Sequence, residues 1–138
     1  MRIAKAMRGV TLPEILIALT IVALLAGIAY PSYRDYAERA KRSEAIAKLL
    51  EIAANQERFY LNQNRYGSLA ELGYPVPLQT PKGTYTIQVS DNDAAGFTAT
   101  ATYNGTGAEA ERCSPFTLDE RRNKTSTGTL ENCWTDQR

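Results

Sequence analysis

Histidine is absent from these 138 residues, which removes the commonest general base and the commonest metal ligand together. Only two cysteines occur, Cys113 and Cys133, and no CxxC metal or redox spacing is present. Neither sign of charge is in excess. Sixteen Lys and Arg face 15 Asp and Glu for a formal charge of +1, so composition calls for no polyanionic partner. A Gly-x-Ser-x-Gly nucleophile motif is missing too. These gaps argue against an enzyme, and no cofactor or metal is expected. A mass of 15.2 kDa suits one modest core.

Charge is missing altogether from residues 15–33, a run of 19. Before it stand Arg2, Lys5 and Arg8, with no acidic residue among positions 1–9. As a helix the run covers roughly 28 Å, close to a hydrocarbon core of about 30 Å. The basic flank stays inside, which places everything after Arg34 across the membrane, where disulfides form. Two junctions could be cleaved. Ala26-Gly27-Ile28-Ala29 follows the apolar run as an ordinary secretory site does. Arg8-Gly9-Val10-Thr11-Leu12-Pro13-Glu14 precedes it and is the better site.

The second junction resembles the type III signal of type IV pilins and of type II secretion pseudopilins. The resemblance implies that a prepilin peptidase cuts after Gly9, removing residues 1–9 as a leader, and methylates the new amine of Val10. Val10 stands where that family more often has Phe or Met, and Pro13 where Ile or Leu is commoner. A first-turn proline has no intrahelical hydrogen bond to lose. Loss of the leader leaves 13 basic against 15 acidic residues, a formal charge of −2.

Glu14 is a lone carboxylate in this apolar setting, and at mid-membrane it costs about 2.5–3.5 kcal/mol unless partnered. The resemblance implies an assembly role, in which Glu14 meets the N-terminal amine of a neighbouring subunit and sets the axial register. The alternative is a helix-end carboxylate favoured by the dipole by about 0.3–1 kcal/mol. Gly27 and Pro31 mark a soft stretch where the proline removes a hydrogen bond and kinks the helix. The resemblance implies that it melts in the filament; an ordinary membrane-helix Gly and Pro is the alternative.

The organisation expected is a leader over 1–9, a transmembrane and assembly helix over 10–33, an amphipathic helix half over 34–61, and a globular region over 62–138. In the helix half, Tyr36, Ala40, Ala47, Leu50 and Ala54 form one stripe, with Ile46, Leu49, Ala53 and Tyr60 beside it. Arg34 with Glu38, Glu38 with Arg42 and Glu44 with Lys48 are spaced for surface pairs. Residues 62–81 read as a proline- and glycine-rich connector with a turn of helix at 68–72. Alternation predicts strands over 84–90 and 97–103, with Tyr85, Ile87, Val89, Phe97, Ala99, Ala101 and Tyr103 inward and threonines outward. Asp91-Asn92-Asp93-Ala94-Ala95-Gly96 between them reads as a hairpin turn rather than a calcium loop. Residues 115–120 and 124–127 supply two more strand candidates. The fold class is α+β, with the helix packed on a small antiparallel sheet, which is the architecture of the type IV pilins it resembles.

Across the membrane, Cys113 and Cys133 are expected to pair, closing a 21-residue loop that stabilises by about 3 kcal/mol. That loop, ending in Cys133-Trp134, resembles minor pilins of the PilE-like kind. Arg121, Arg122 and Lys124 lie inside it and Trp134 beside it, a set that could contact DNA phosphates and stack a base, as in competence pilins. The alternative is a solvated hairpin tip, with Asp119, Glu120 and Glu131 flanking. Sequons at Asn104 and Asn123 carry little weight. The function expected is a structural, non-enzymatic minor pilin that enters or primes a surface pilus, supporting twitching, adhesion or DNA uptake. A type II secretion pseudopilin and a DNA-receptor pilin are the alternatives. Its expected partners are other pilin subunits, the prepilin peptidase and the inner-membrane assembly platform. Before assembly the globular part is expected in the periplasm, and afterwards in an extracellular pilus.

Overall fold

The computed structural model describes residues 9–129 and 133–135, so Arg2, Lys5, Arg8 and Glu131 lie outside the described residues. Helix α1 (Leu12–Gln63) is 52 residues long, and within it, after Ala37, the chain divides into two units.

The first unit is helical from Leu12. Thr11 donates from its N–H and its hydroxyl toward Glu14 Oε2 at 3.4 and 3.5 Å, a capping arrangement that Thr-x-x-Glu produces at a helix start. Every residue from 9 to 36 is exposed, with Leu24 at 67% and Ile28 at 76%. Among the described residues this is the one helix long and apolar enough to cross a membrane. Helix α1 continues through Pro31. One lost hydrogen bond is outvoted by the intact ladder on either side.

In the second unit α1 carries a buried stripe of Arg42, Ala45, Ile46, Leu49, Ile52, Ala53 and Gln56. Five strands follow: β1 (Leu78–Gln79), β2 (Tyr85–Ser90), β3 (Thr98–Tyr103), β4 (Phe116–Asp119) and β5 (Lys124–Ser126), with a short helix α2 (Ala108–Arg112) before β4. The sheet is wholly antiparallel, in the order β1-β2-β3-β4-β5. Register aligns Ile87 with Ala101 and Phe116, and Val89 with Ala99 and Leu118. Small side chains thus line the middle strand of the inner face, between bulky ones, and this face shares one core with the helix stripe. The outer face is uncharged over most of its area. Thr86 opposes Thr102, and Gln88, Thr100, Thr117 and Thr125 form a row across four strands.

The helix stripe differs from expectation. Ile46, Leu49 and Ala53 are buried as expected, but Tyr36, Ala47, Leu50 and Ala54 face outward and Ala40 is half-buried. Two polar residues take the inward positions instead. Gln56 is buried because its amide pairs with a backbone: Nε2 donates to Gly67 O at 2.6 Å, and Gly67 N–H donates to Oε1 at 2.8 Å. Arg42 is buried because a carboxylate meets it inside the core. The surface pairs also shift. Glu38 joins Lys41 at 3.0 Å, Lys48 joins Glu51 at 2.6 Å, and Glu44 joins Lys82 at 3.0 Å.

Residues 68–72 make a single turn rather than a helix, with Leu72 N–H donating to Ser68 O at 3.1 Å. Glu71 folds back to accept from Ser68 N–H and hydroxyl at 2.8 and 2.9 Å, and Arg65 Nη2 donates to it at 2.5 Å. The Arg65 guanidinium, then the Ser68 donors, hold the Glu71 carboxyl down at about 2 from an ordinary 4.5. A depressed folded-state value means that this network supports the fold fully above 4.5 and loses its contribution as pH falls toward 2. A carboxyl-carbon NMR titration is expected to give Glu71 a midpoint near 2; a midpoint near 4.5 would show the network does not persist in solution.

Candidate functional site

The junction at Gly9 and Val10 lies in exposed, non-helical chain directly before α1, and a side chain at Gly9 would meet open space. Glu14 sits in the first turn of α1, bound loosely to Thr11, so the structure gives it a local partner as well as an exposed position. Gly27 and Pro31 lie within the continuous, exposed part of α1.

Cys113 and Cys133 are disulfide-bonded, with Cα atoms 5.5 Å apart, and both are buried. The loop they close contains β4, β5 and the turn between them. Asp119 builds that turn. Its Oδ1 accepts from Arg121 and Asn123 N–H at 2.9 and 2.7 Å, and its Oδ2 accepts from Asn123 Nδ2 at 2.7 Å. Arg122 takes a left-handed φ of 62° at the tip.

The basic residues do not act together. Arg121 Nε lies 3.3 Å from Glu120 Oε1, and both line a depression shared with Asp91 and Asp93. Asp93 Oδ1 in turn accepts from Ala95 and Gly96 N–H at 2.6 and 3.1 Å, the side-chain chemistry of a turn. Arg122 and Lys124 instead border a groove of about 390 Å³ whose other walls are Leu50, Ala53, Ala54 and Leu118. Among the described residues neither cation forms an ion pair.

Trp134 is committed inward. Its Nε1 donates to Thr125 O at 2.8 Å, its ring meets Phe116 edge-on at 5.6 Å, and Lys124 Nζ stands 5.6 Å from its centroid. The structure therefore brings Lys124 and Trp134 together, but it leaves the indole poorly placed to stack a base.

Two features were missed from the sequence. The groove is one, because Leu50 and Leu118 have no sequence relation. A buried ionic cluster is the other. Arg42 Nε and Nη2 donate to Glu109 Oε1 and Oε2 at 2.9 and 2.8 Å, and the Tyr85 hydroxyl donates to Oε1 at 3.0 Å. Burial, and then the Glu109 charge it faces, push the Tyr85 hydroxyl upward, so it remains a donor.

Comparison with known proteins matches this geometry. The profile of the family described as "Type IV minor pilin ComP, DNA uptake sequence receptor" matches residues 31–117, and that of the "Prokaryotic N-terminal methylation motif" matches residues 4–30. The chain is 33% identical over 105 residues to the type IV major pilin protein PilE1 of Neisseria gonorrhoeae, covering 75% of this chain and 57% of that relative. It is 37% identical over 87 residues to the type IV major pilin protein PilA of Myxococcus xanthus, covering 62% and 39% respectively. A fimbrial protein of Pseudomonas aeruginosa is 27% identical over 125 residues, covering 85% and 81%. The chain thus spans little more than half the length of its gonococcal relative. The first of these profile matches runs from Pro31 into β4, through most of the disulfide-closed α+β head. The chain belongs to the type IV pilin family.

Proposed function

We propose that the chain is a structural, non-enzymatic pilin subunit, of the minor kind, that assembles with other pilins into a type IV pilus or primes one. The observation that carries this reading is the stretch 12–33, helical and exposed throughout, with Glu14 at its start and no further charge. Such a surface is stable only in lipid or against other helices. The sequence of events we infer begins in the inner membrane with the head in the periplasm. Prepilin peptidase removes residues 1–9 and the Val10 amine is methylated. The assembly platform then moves the subunit into the filament, where Glu14 neutralises a neighbour's amine and the 27–31 stretch yields to packing.

The test separates this role of Glu14 from its cap on Thr11. Glu14→Gln keeps a side chain suited to that cap and removes the charge. Both Glu14→Gln and Glu14→Ala are expected to leave the membrane-bound subunit cleaved, with an intact mass beginning at Val10, and to lower recovery in sheared filaments at least about tenfold. An unpartnered mid-membrane charge at about 2.5 kcal/mol corresponds to more than that. Recovery of Glu14→Gln at the wild-type level would leave Glu14 as a helix cap only.

A DNA-receptor role is the second reading, favoured by the description of the matching family and by Arg122 and Lys124, which form no ion pair among the described residues. Against it stand the small number of charges and the inward Trp134 ring.

A further inference from the structure

The groove beside the β4–β5 turn is used neither by the apolar helix nor by the disulfide. Its floor is aliphatic: Leu50 and Ala54 of α1 are exposed, with the buried Ala53 and Leu118 of β4 beneath them. Leu50 is 43% exposed although it is a large aliphatic residue beside the core. One wall is cationic. Arg122 and Lys124 border it, and the neighbouring acids are occupied elsewhere, Asp119 by three donors of the turn and Glu120 by Arg121. An aliphatic floor beside two cations that form no ion pair among the described residues is complementary to a ligand that offers both a hydrocarbon side chain and negative charge. Nucleotide bases fit such a floor poorly, since stacking needs a free aromatic face, and Trp134 carries Lys124 over its ring. A volume of about 390 Å³ admits an aliphatic side chain with adjacent backbone.

We propose that this groove docks an acidic polypeptide segment of a partner protein, seating one aliphatic side chain against Leu50 and Ala54 and its carboxylates on Arg122 and Lys124. The site is independent of the Glu14 mechanism, so its failure leaves the filament reading untouched.

The experiment uses the full chain in nonionic detergent and the synthetic peptide acetyl-Glu-Glu-Leu-Glu-Glu-amide, followed by methyl NMR with the single Trp134 as a second reporter. Saturable shifts are expected at Leu50, Ala53, Ala54 and Leu118. Replacing the peptide's leucine by glycine is expected to weaken binding about tenfold, as partial burial of one leucine implies. The double variant Arg122→Glu with Lys124→Glu is expected to weaken it about tenfold as well, and Ala54→Trp, which fills an exposed position, to block it. Absence of saturable shifts, equal binding of the leucine and glycine peptides, or shifts centred on the Asp91 depression would each overturn the proposal. So would tighter binding of a short DNA duplex at the same residues, which would assign the cations to phosphate.

Discussion

Glu109→Ala is expected to destabilise the head by about 3–5 kcal/mol, because it removes the buried carboxylate that accepts two hydrogen bonds from the Arg42 guanidinium. Arg42 and Glu109 are each 5% exposed and Tyr85 is fully buried, so water cannot take over the lost contacts. The cluster links three distant parts of the chain: the start of the packed half of α1, the first residue pair of β2, and α2 just ahead of Cys113. Tyr85→Phe is expected to cost only about 1 kcal/mol, since it removes one donor and no charge. A double replacement, Arg42→Met with Glu109→Leu, is expected to recover most of the loss, because apolar pairs of similar volume commonly equal or exceed a buried ion pair. Urea unfolding followed by Trp134 fluorescence measures all three. A double variant as unstable as Glu109→Ala would mean that the position, and not the broken ion pair, sets the cost.

Gly128→Ala is expected to cost about 3 kcal/mol or more, in the range of losing the disulfide itself. A Cβ at Gly128 would lie 1.9 Å from Arg112 O, 2.1 Å from Arg112 C and 2.4 Å from Cys113 N. All three are backbone atoms, so no flexible side chain can move aside. The segment is tied on both flanks, by Thr127 N–H to Pro115 O at 3.3 Å and Thr129 N–H to Glu111 O at 3.1 Å. Relief of the clash must break one of these or displace α2, which carries Glu109. Ordinary overpacking costs about 1–3 kcal/mol because side chains absorb part of it, and here that route is closed. Unfolding of the oxidised protein tests this directly. A loss below about 1 kcal/mol would show that the 127–129 segment moves freely off Arg112.

The strands were the most legible part of the fold. Alternation predicted 84–90 and 97–103, and the structure has Tyr85–Ser90 and Thr98–Tyr103 with the same inward residues. Period two is readable because one face of each strand is buried and the other is not. Helix orientation was harder. An apolar stripe through Ala47, Leu50 and Ala54 has correct helical spacing, yet it faces outward, because Arg42 and Gln56 reach partners 67 and 11 residues away and so earn inward places. Polarity patterns cannot register a partner that only the fold supplies. β1 has two residues among prolines, and α2 is five residues with no apolar period, so neither offered a signal. In the candidate site, Gly9, Val10 and Glu14 stood out through a local motif. The groove could not, since its walls come from α1 and the β4–β5 turn.

Trp134 closes the sheet as well as the loop. By bonding to Thr125 O it occupies the outward edge of β5, while the opposite edge, β1, is only two residues long beside Pro77 and Pro81. Among the described residues both border strands are short, two residues in β1 and three in β5. A protein crowded at high density in a membrane or a fibre is exposed to cross-β aggregation if its borders are open. Short borders of this kind leave a foreign strand little of the sheet to pair with.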